Sequence, residues 1–312
     1  MSILFTGGTG FIGAEIVRQL LQEDAPNVHI IHRSGNFHRL EGLLDRVELI
    51  QADLADHDKI TSIIEKTRPE VIYHLGAILT GPGERDPQKA MEANGIGTYR
   101  LLEAARLNDV HQVLFASSIG TYGKELPDGP INDATVQRPV SVYGITKVFG
   151  ENIGAYYKQK YGLDFRGLRY PSIIGPGVTT ISIAYFTNGV IEKPALGEPY
   201  TVPVGPHVAV PQVYLRDAAR AMIDLSRAPL ESIETVNYLV NGFQPTPTIG
   251  EVAEAVRARI PDAQIEFESG SNLEAVFDRV TRPLDDSRAR SEWGWSPQYD
   301  TDAMIDDFLG AF

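Results

Sequence analysis

The stretch SVYGITKVFG, residues 141–150, places Tyr143 four residues before Lys147. On a helix spanning Val142 to Tyr161, residues four apart share one face a turn apart, so a phenol and an ammonium become neighbours. A phenol of pKa near 10 is a poor base at neutral pH, and a cation beside it favours the phenolate. Such a pair can take or return the proton of an alcohol. Ser117 and Ser118 end an apolar run that begins at Val113. Neighbours on a strand point to opposite faces, so one of the two serines can hold the same alcohol oxygen.

The other chemistry-bearing stretch stands at the start, where Thr6-Gly7-Gly8-Thr9-Gly10-Phe11-Ile12-Gly13 contains Gly-x-Gly-x-x-Gly at Gly8, Gly10 and Gly13. It follows a strand over Ser2 to Thr6 and opens a helix whose Ile12, Ile16 and Leu20 recur every four residues. That context is what a dinucleotide needs: glycines for the tight turn and close approach, and a helix N-terminus for the pyrophosphate. Gly7, Gly10, Phe11, Ile12 and Gly13 are the expected contacts. The acid that usually binds the adenosine ribose at the end of the second strand is missing, and His32 and Arg33 stand there instead. Arg33 can pair with a 2′-phosphate that nothing there repels, which leans the cofactor toward NADP over NAD. Asp53, just past the third strand and followed by Leu54, either accepts from the adenine amino group or caps the next turn. An oxidised nicotinamide would add its positive charge to that of Lys147 in favouring the Tyr143 phenolate, while hydride leaves the carbon that loses the proton.

The elements that must position these groups alternate along the chain. Val28 to His32, Val47 to Gln51, Val71 to Leu75, Val113 to Ser117 and Phe165 to Tyr170 read as buried parallel strands, with helical stretches such as Asp86 to Leu107 and Val142 to Tyr161 between them. Repeated strand-helix units predict an α/β fold, a doubly wound parallel Rossmann sheet. From Pro171 to Pro211 prolines interrupt the pattern; a helix opening at Leu215 and a strand over Val236 to Val240 restore it. From Gly242 onward come helices and one short strand, Gln264 to Phe267. We therefore expect a dinucleotide-binding domain over 1–170 plus 212–241 and a smaller, discontinuous substrate lobe over 171–211 plus 242–312, with the ligand site between them.

Composition narrows the function. The 312 residues are 43% hydrophobic and 22% charged, with a net charge of −13, which argues against nucleic-acid or anionic-membrane partners. There is no cysteine, so thiol catalysis, disulfides and thiolate metal sites are excluded. The histidines are scattered, and no metal is expected. The apolar run Ile3-Leu4-Phe5 follows Met1 so closely that no signal peptide fits, and no apolar stretch approaches the roughly 20 residues of a spanning helix. These features predict a cytoplasmic protein acting on a small molecule.

Taken together, TGGTGFIG, AD at 52–53, HLGA at 74–77, Asn94-Gly95-Ile96-Gly97-Thr98, SS at 117–118, YGITK at 143–147, LRYPSIIGPG at 168–177 and the DDSRAR and WGWSP segments at 285–290 and 293–297 resemble the extended short-chain dehydrogenase/reductase family over nearly the whole chain. The resemblance implies Tyr143 as acid/base, Lys147 as its partner and ribose ligand, and Ser118 rather than Ser117 on the substrate oxygen. It also implies cofactor contacts by Leu75, Gly76, Ala77, Asn94 and Tyr170, and a homodimer through the helices at 86–107 and 142–161. Within the family, SSIGTYG at 117–123, YGITKVFGE at 143–151 and Val178-Thr179-Thr180 are similar to the short-chain type of L-threonine dehydrogenase. That similarity implies Thr80, Gly81, Thr179 and Thr180 around a small substrate. The chain departs from that group in having Val178 where a glycine stands and Ile181-Ser182 where an acid and an aromatic follow. Nucleotide-sugar epimerases and dehydratases, the competing subfamily, usually carry an arginine before the helix that opens at Leu215, and Val208 to Tyr214 holds no basic residue. A third expectation, a non-catalytic NADP-binding regulatory protein, fits poorly with a chain that keeps both Tyr143 and Lys147.

Overall fold

The computed structural model describes residues 1–23, 27–33, 35–178 and 184–312. Its strands are β1 (Ser2–Thr6), β2 (Asn27–His32), β3 (Val47–Gln51), β4 (Val71–His74), β5 (Gln112–Ser118), β6 (Asp164–Tyr170), β7 (Ser172–Ile174), β8 (Tyr200–Val202), β9 (Gln212–Tyr214), β10 (Asn237–Leu239) and β11 (Ile265–Phe267). Seven of them form one parallel sheet in the order β10-β6-β5-β4-β1-β2-β3. The expected doubly wound sheet is present, and its strand order reverses between β1 and β4. In open parallel sheets the carboxyl ends of the strands at such a reversal are where ligands bind. The pairs β7 with β9 and β8 with β11 are separate two-stranded parallel sheets.

Alternation within the strands feeds two cores. Ile3, Phe5, Val28, Ile30, Leu114 and Ala116 pack with α1 (Phe11–Gln22) on one face. Leu4, Ile31, Ile72, Val113, Phe115 and Phe165 pack on the other with α2 (His57–Thr67). Two short helices follow β4, α3 (Thr80–Arg85) and α4 (Pro87–Ala90). The expected continuous helix from Asp86 to Leu107 is interrupted: α4 runs into a π-helical segment, Met91–Ile96, before α5 (Gly97–Leu107). The wider turn sets Asn94 against the loop after β4, where its amide accepts from Ile78 N at 2.7 Å and donates to Ile78 O at 2.8 Å.

Helix α6 (Val142–Tyr161) has the bounds read from its sequence. Ser141 caps its start by accepting from Gly144 N at 3.0 Å, and Gly162, at φ 73°, ends it. Glycines on its inner face set how close it lies to the sheet. A Cβ at Gly150 would fall 2.5 Å from the Phe115 ring, and one at Gly154 2.2 Å from that of Phe165. The remaining helices are α7 (Phe186–Ala195), α8 (Leu215–Arg227), α9 (Ile249–Arg259), α10 (Asn272–Val280), α11 (Ser287–Trp293) and α12 (Thr301–Leu309). Helix α8 joins α1 on the first face, together with Trp295. A third core, from Phe186, Val190, Val202, Tyr214, Val252, Phe277 and Phe308, lies among α7, β8, β9, α9, α10 and α12. Among the described residues no helix is long and apolar enough to cross a membrane.

Candidate active site

The glycine loop meets the loop after β4 at the strand reversal. Gly7 has φ 74°, in the left-handed region, and a Cβ there would stand 2.7 Å from Gly76 N. Gly10 N donates to Gly7 O at 2.9 Å and Gly10 then caps α1, so the helix N-terminus opens onto this corner. A Cβ at Gly13 would fall 2.3 Å from Gly7 O. Phe11 and Ile12 begin α1 and are half-buried, as are Leu75, Gly76 and Ala77 on the opposing loop. The cradle is therefore shaped by the lack of side chains at Gly7, Gly13 and Gly76, and it fits a pyrophosphate lying on the helix end.

On the adenosine side, Arg33 is exposed just past β2. Asp53 Oδ1 accepts from Ala55 N at 3.0 Å, the turn-capping alternative. Leu54 lies across the loop, with Cδ1 3.0 Å from where a Cβ on Gly76 would stand. Arg39, which the sequence reading passed over, sets its guanidinium 5.8 Å from the Phe11 ring centroid and donates to Gly177 O at 2.6 Å.

A buried hydrogen-bond relay supports this corner from below. Gly76 N donates to Thr6 Oγ1 at 3.1 Å, Thr6 Oγ1 lies 2.7 Å from His74 Nδ1, His74 Nε2 lies 2.9 Å from Thr98 Oγ1, and Thr98 donates to Asn94 O at 2.5 Å. With Thr98 spending its proton on Asn94, the order of donors requires the Nε2–H tautomer of His74. Burial, and secondarily the Lys147 charge, push the His74 pKa from 6.5 down to about 3. The folded form refuses a proton that the unfolded form accepts below 6.5, so this stability is complete above about pH 6.5 and is lost as pH falls toward 3. Urea unfolding near pH 7 and near pH 5 should show the wild type losing about 2 kcal/mol more than His74→Gln. Equal losses in the two proteins would remove His74 as the source of acid sensitivity.

Strand β5 delivers its two serines to opposite sides, as alternation requires. Ser117 is buried and donates to Glu151. Ser118 accepts from Gly120 N at 3.0 Å, and a Cβ at Gly120 would meet both Ser118 Oγ, at 3.3 Å, and the Tyr143 ring, at 3.7 Å. The phenol and the Ser118 hydroxyl are thus neighbours at the carboxyl edge, while Ser117 is turned into the protein. Lys147 is buried, its Nζ 5.5 Å from the Tyr143 ring centroid and 4.6 Å from that of Phe115, and it donates to Ala116 O at 2.6 Å. Burial lowers the Lys147 pKa to about 8 against the opposing pull of Glu151. Burial raises that of Tyr143 to about 12, with the Ser118 hydrogen bond opposing. The expected phenolate depends on Lys147 together with an oxidised nicotinamide; burial acts against it, and the Lys147 ammonium is turned to a backbone carbonyl.

Other expected contacts are distributed around this pair. Thr80 and Gly81 begin α3 and are exposed. That helix is tied to the start of α6 by Val142 N donating to Glu84 at 2.8 Å. The Asn94 amide also reaches Thr146 Oγ1 at 3.3 Å, next to Lys147. Tyr170 ends β6; its ring is buried in the first core and its hydroxyl donates to Ala218 O at 2.8 Å. Thr179 and Thr180 lie outside the described residues. Among the described residues no group of three or more histidines, aspartates or glutamates is placed to hold a metal.

The same chain matches known proteins along most of its length. The profile of the NAD dependent epimerase/dehydratase family matches residues 3–238. L-threonine 3-dehydrogenase, mitochondrial, from Sus scrofa is 30% identical over 98% of this chain and 81% of its own. The holo form of a GalE-like L-threonine dehydrogenase from Cupriavidus necator superimposes with a TM-score of 0.85 at 28% identity, covering 100% of this chain and 99% of that one. A UDP-glucose 4-epimerase from Thermotoga maritima shares the fold at a TM-score of 0.84 and 23% identity, covering 99% and 98% of the two chains.

Proposed function

Since the chain belongs to the NAD dependent epimerase/dehydratase family and is an NAD(P)-dependent dehydrogenase/reductase of the extended short-chain type, we propose that it interconverts a small secondary alcohol, of hydroxy-acid or β-hydroxy amino acid type, and its ketone, with Tyr143 as acid/base. The observation that carries this proposal is Ser118 lying beside Tyr143 at the carboxyl end of β5, in the same parallel sheet whose β1 leads into the glycine cradle. A dinucleotide held at the glycine cradle would supply the hydride acceptor or donor. Ser118 holds the substrate oxygen, and Tyr143 gives that oxygen a proton in the reducing direction or takes one in the oxidising direction. Because burial holds Tyr143 as a phenol, it is ready to act as the acid at neutral pH; acting as the base requires added positive charge at the site. Lys147, fixed by the Ala116 carbonyl, keeps an ammonium within reach of the phenol face.

Charge limits the size of the substrate. A nucleotide-sugar diphosphate would need cations in its pocket. The segment from Val208 to Tyr214 has none. Arg216, the next basic residue, pairs with Asp307 at 2.8 Å, and His207, just before the segment, stands 3.6 Å from Glu274. Titration calorimetry of the dinucleotide-loaded protein with uridine diphosphate is expected to show no binding tighter than about millimolar, about −4 kcal/mol. Micromolar affinity, about −8 kcal/mol, would put nucleotide-sugar epimerisation or dehydration first.

We propose further that NADP is preferred over NAD, on the strength of Arg33 and the missing acid after β2. Arg33→Ala should lower kcat/KM for NADP about tenfold, the equivalent of roughly 1.5 kcal/mol for a charged hydrogen bond, and spare NAD. Equal use of both dinucleotides by wild type and variant would leave Arg33 a solvated loop residue.

A further inference from the structure

Helix α6 carries a third charged residue, one turn beyond Lys147. Glu151 is 2% exposed, and its carboxylate accepts from the Ser117 hydroxyl, from Arg169 Nε and Nη2 at 3.0 and 2.7 Å, and from Gln137 Nε2 at 2.8 Å. Ser117 is the chain neighbour of Ser118 on β5, and Arg169 is its register partner on β6. Arg169 Nη1 donates in turn to the Tyr122 hydroxyl at 2.9 Å and to Asp133 O at 2.8 Å. Both lie on the connection that leaves β5 at Ser118 and reaches α6 just before Tyr143. One carboxylate thereby ties together the strand end bearing Ser118, the loop leaving it and the helix bearing Tyr143 and Lys147.

We propose that Glu151 is a positioning residue for the reaction, holding Ser118, Tyr143 and Lys147 in one geometry and placing a negative charge one helical turn from the Lys147 ammonium. The inference rests on Tyr143 being the acid/base. A buried ion pair is often replaceable by apolar groups without loss of stability, so stability alone gives the fold no need of this one. The groups around Lys147 give the carboxylate a task. Tyr143 is a phenol, His74 on β4 is neutral, and the Ala116 carbonyl is uncharged. Glu151 supplies the negative charge that opposes burial at Lys147, while Arg169 of β6, itself bonded to the Asp133 carbonyl, faces the carboxylate from the other side.

Two conservative variants separate this role from a structural one. Glu151→Asp keeps the charge and shortens the arm; Glu151→Gln keeps the shape and removes the charge. The Lys147 titration, followed by the side-chain carbon resonance next to its amine in the free protein and assigned with Lys147→Arg, should fall by about one pH unit in Glu151→Gln and stay in place in Glu151→Asp. Turnover should drop roughly tenfold or more in Glu151→Gln and about threefold in Glu151→Asp. An unmoved Lys147 midpoint in Glu151→Gln, with turnover equal to or above that of Glu151→Asp, would overturn the proposal. If Glu151→Gln does not fold because Arg169 is left uncompensated, the double variant Glu151→Gln/Arg169→Gln gives the same titration. An unmoved midpoint there, or failure of both to fold, also overturns the proposal. Tyr143→Phe measured alongside separates the layers: full turnover in that variant removes the acid/base assignment, whereas an inactive Tyr143→Phe with an unaffected Glu151→Gln removes only the role of Glu151.

Discussion

Tyr143→Phe is expected to lower turnover by roughly 10²-fold or more while leaving dinucleotide affinity within about threefold of wild type. The ring stays, so packing at the start of α6 is preserved; the lost hydroxyl is the group proposed to exchange the proton beside Ser118. Ser118→Ala should cost more turnover than Ser117→Ala, because only the Ser118 hydroxyl is on the side of the phenol, whereas that of Ser117 is committed to Glu151. Steady-state kinetics and dinucleotide titration of the three variants make the check. Turnover near wild type in Tyr143→Phe would refute the assignment, and a larger loss in Ser117→Ala would mean that the wrong face of β5 serves the substrate.

Gly13→Ala should be the most damaging single methyl group in the dinucleotide cradle. Its Cβ would stand 2.3 Å from Gly7 O and 2.8 Å from Gly8 Cα, both backbone atoms of the loop that must hold the pyrophosphate. Neither can swing aside as a flexible side chain would, so the loop must open. A forced fit of this kind costs about 1–3 kcal/mol. We expect dinucleotide affinity to fall roughly 10- to 100-fold and the melting temperature to drop by several degrees. Gly129→Ala is the control, because a Cβ there meets nothing within 4 Å. If Gly13→Ala binds the dinucleotide as tightly as Gly129→Ala does, the cradle lies elsewhere.

The parts of the site legible in the sequence are those written in short local patterns. The strand, glycine turn and helix at Ser2 to Gln22 occupy one stretch, and the Tyr143 and Lys147 spacing needs one helix only, whose bounds the sequence also carried. What stayed hidden depends on pairings between distant segments. HLGA stood out as a motif, yet nothing in it showed that His74 links Thr6 to Thr98. The environment of Glu151 is not written in its local sequence, because its partners, Ser117, Gln137 and Arg169, come from a strand, a loop and another strand. The π-helical turn at Met91–Ile96 escaped because the apolar spacing from Asp86 to Leu107 suits an unbroken helix, and the turn is stabilised by Asn94 bonding the backbone of Ile78. Spacing places Lys147 near Tyr143 but does not reveal that burial opposes ionisation of the phenol or that Ala116 O takes the Lys147 ammonium.

The most direct test is to mix wild-type protein with oxidised NADP, or NAD in parallel, and a panel of small hydroxy acids, β-hydroxy amino acids and sugar nucleotides, following the absorbance of the reduced nicotinamide and identifying the products. Net reduction of the dinucleotide with at least one small secondary alcohol, its conversion to the matching ketone, and loss of both signals in Tyr143→Phe is the predicted result. Epimerisation or dehydration of a sugar nucleotide without net reduction of the dinucleotide, and no turnover of any small alcohol, would contradict it.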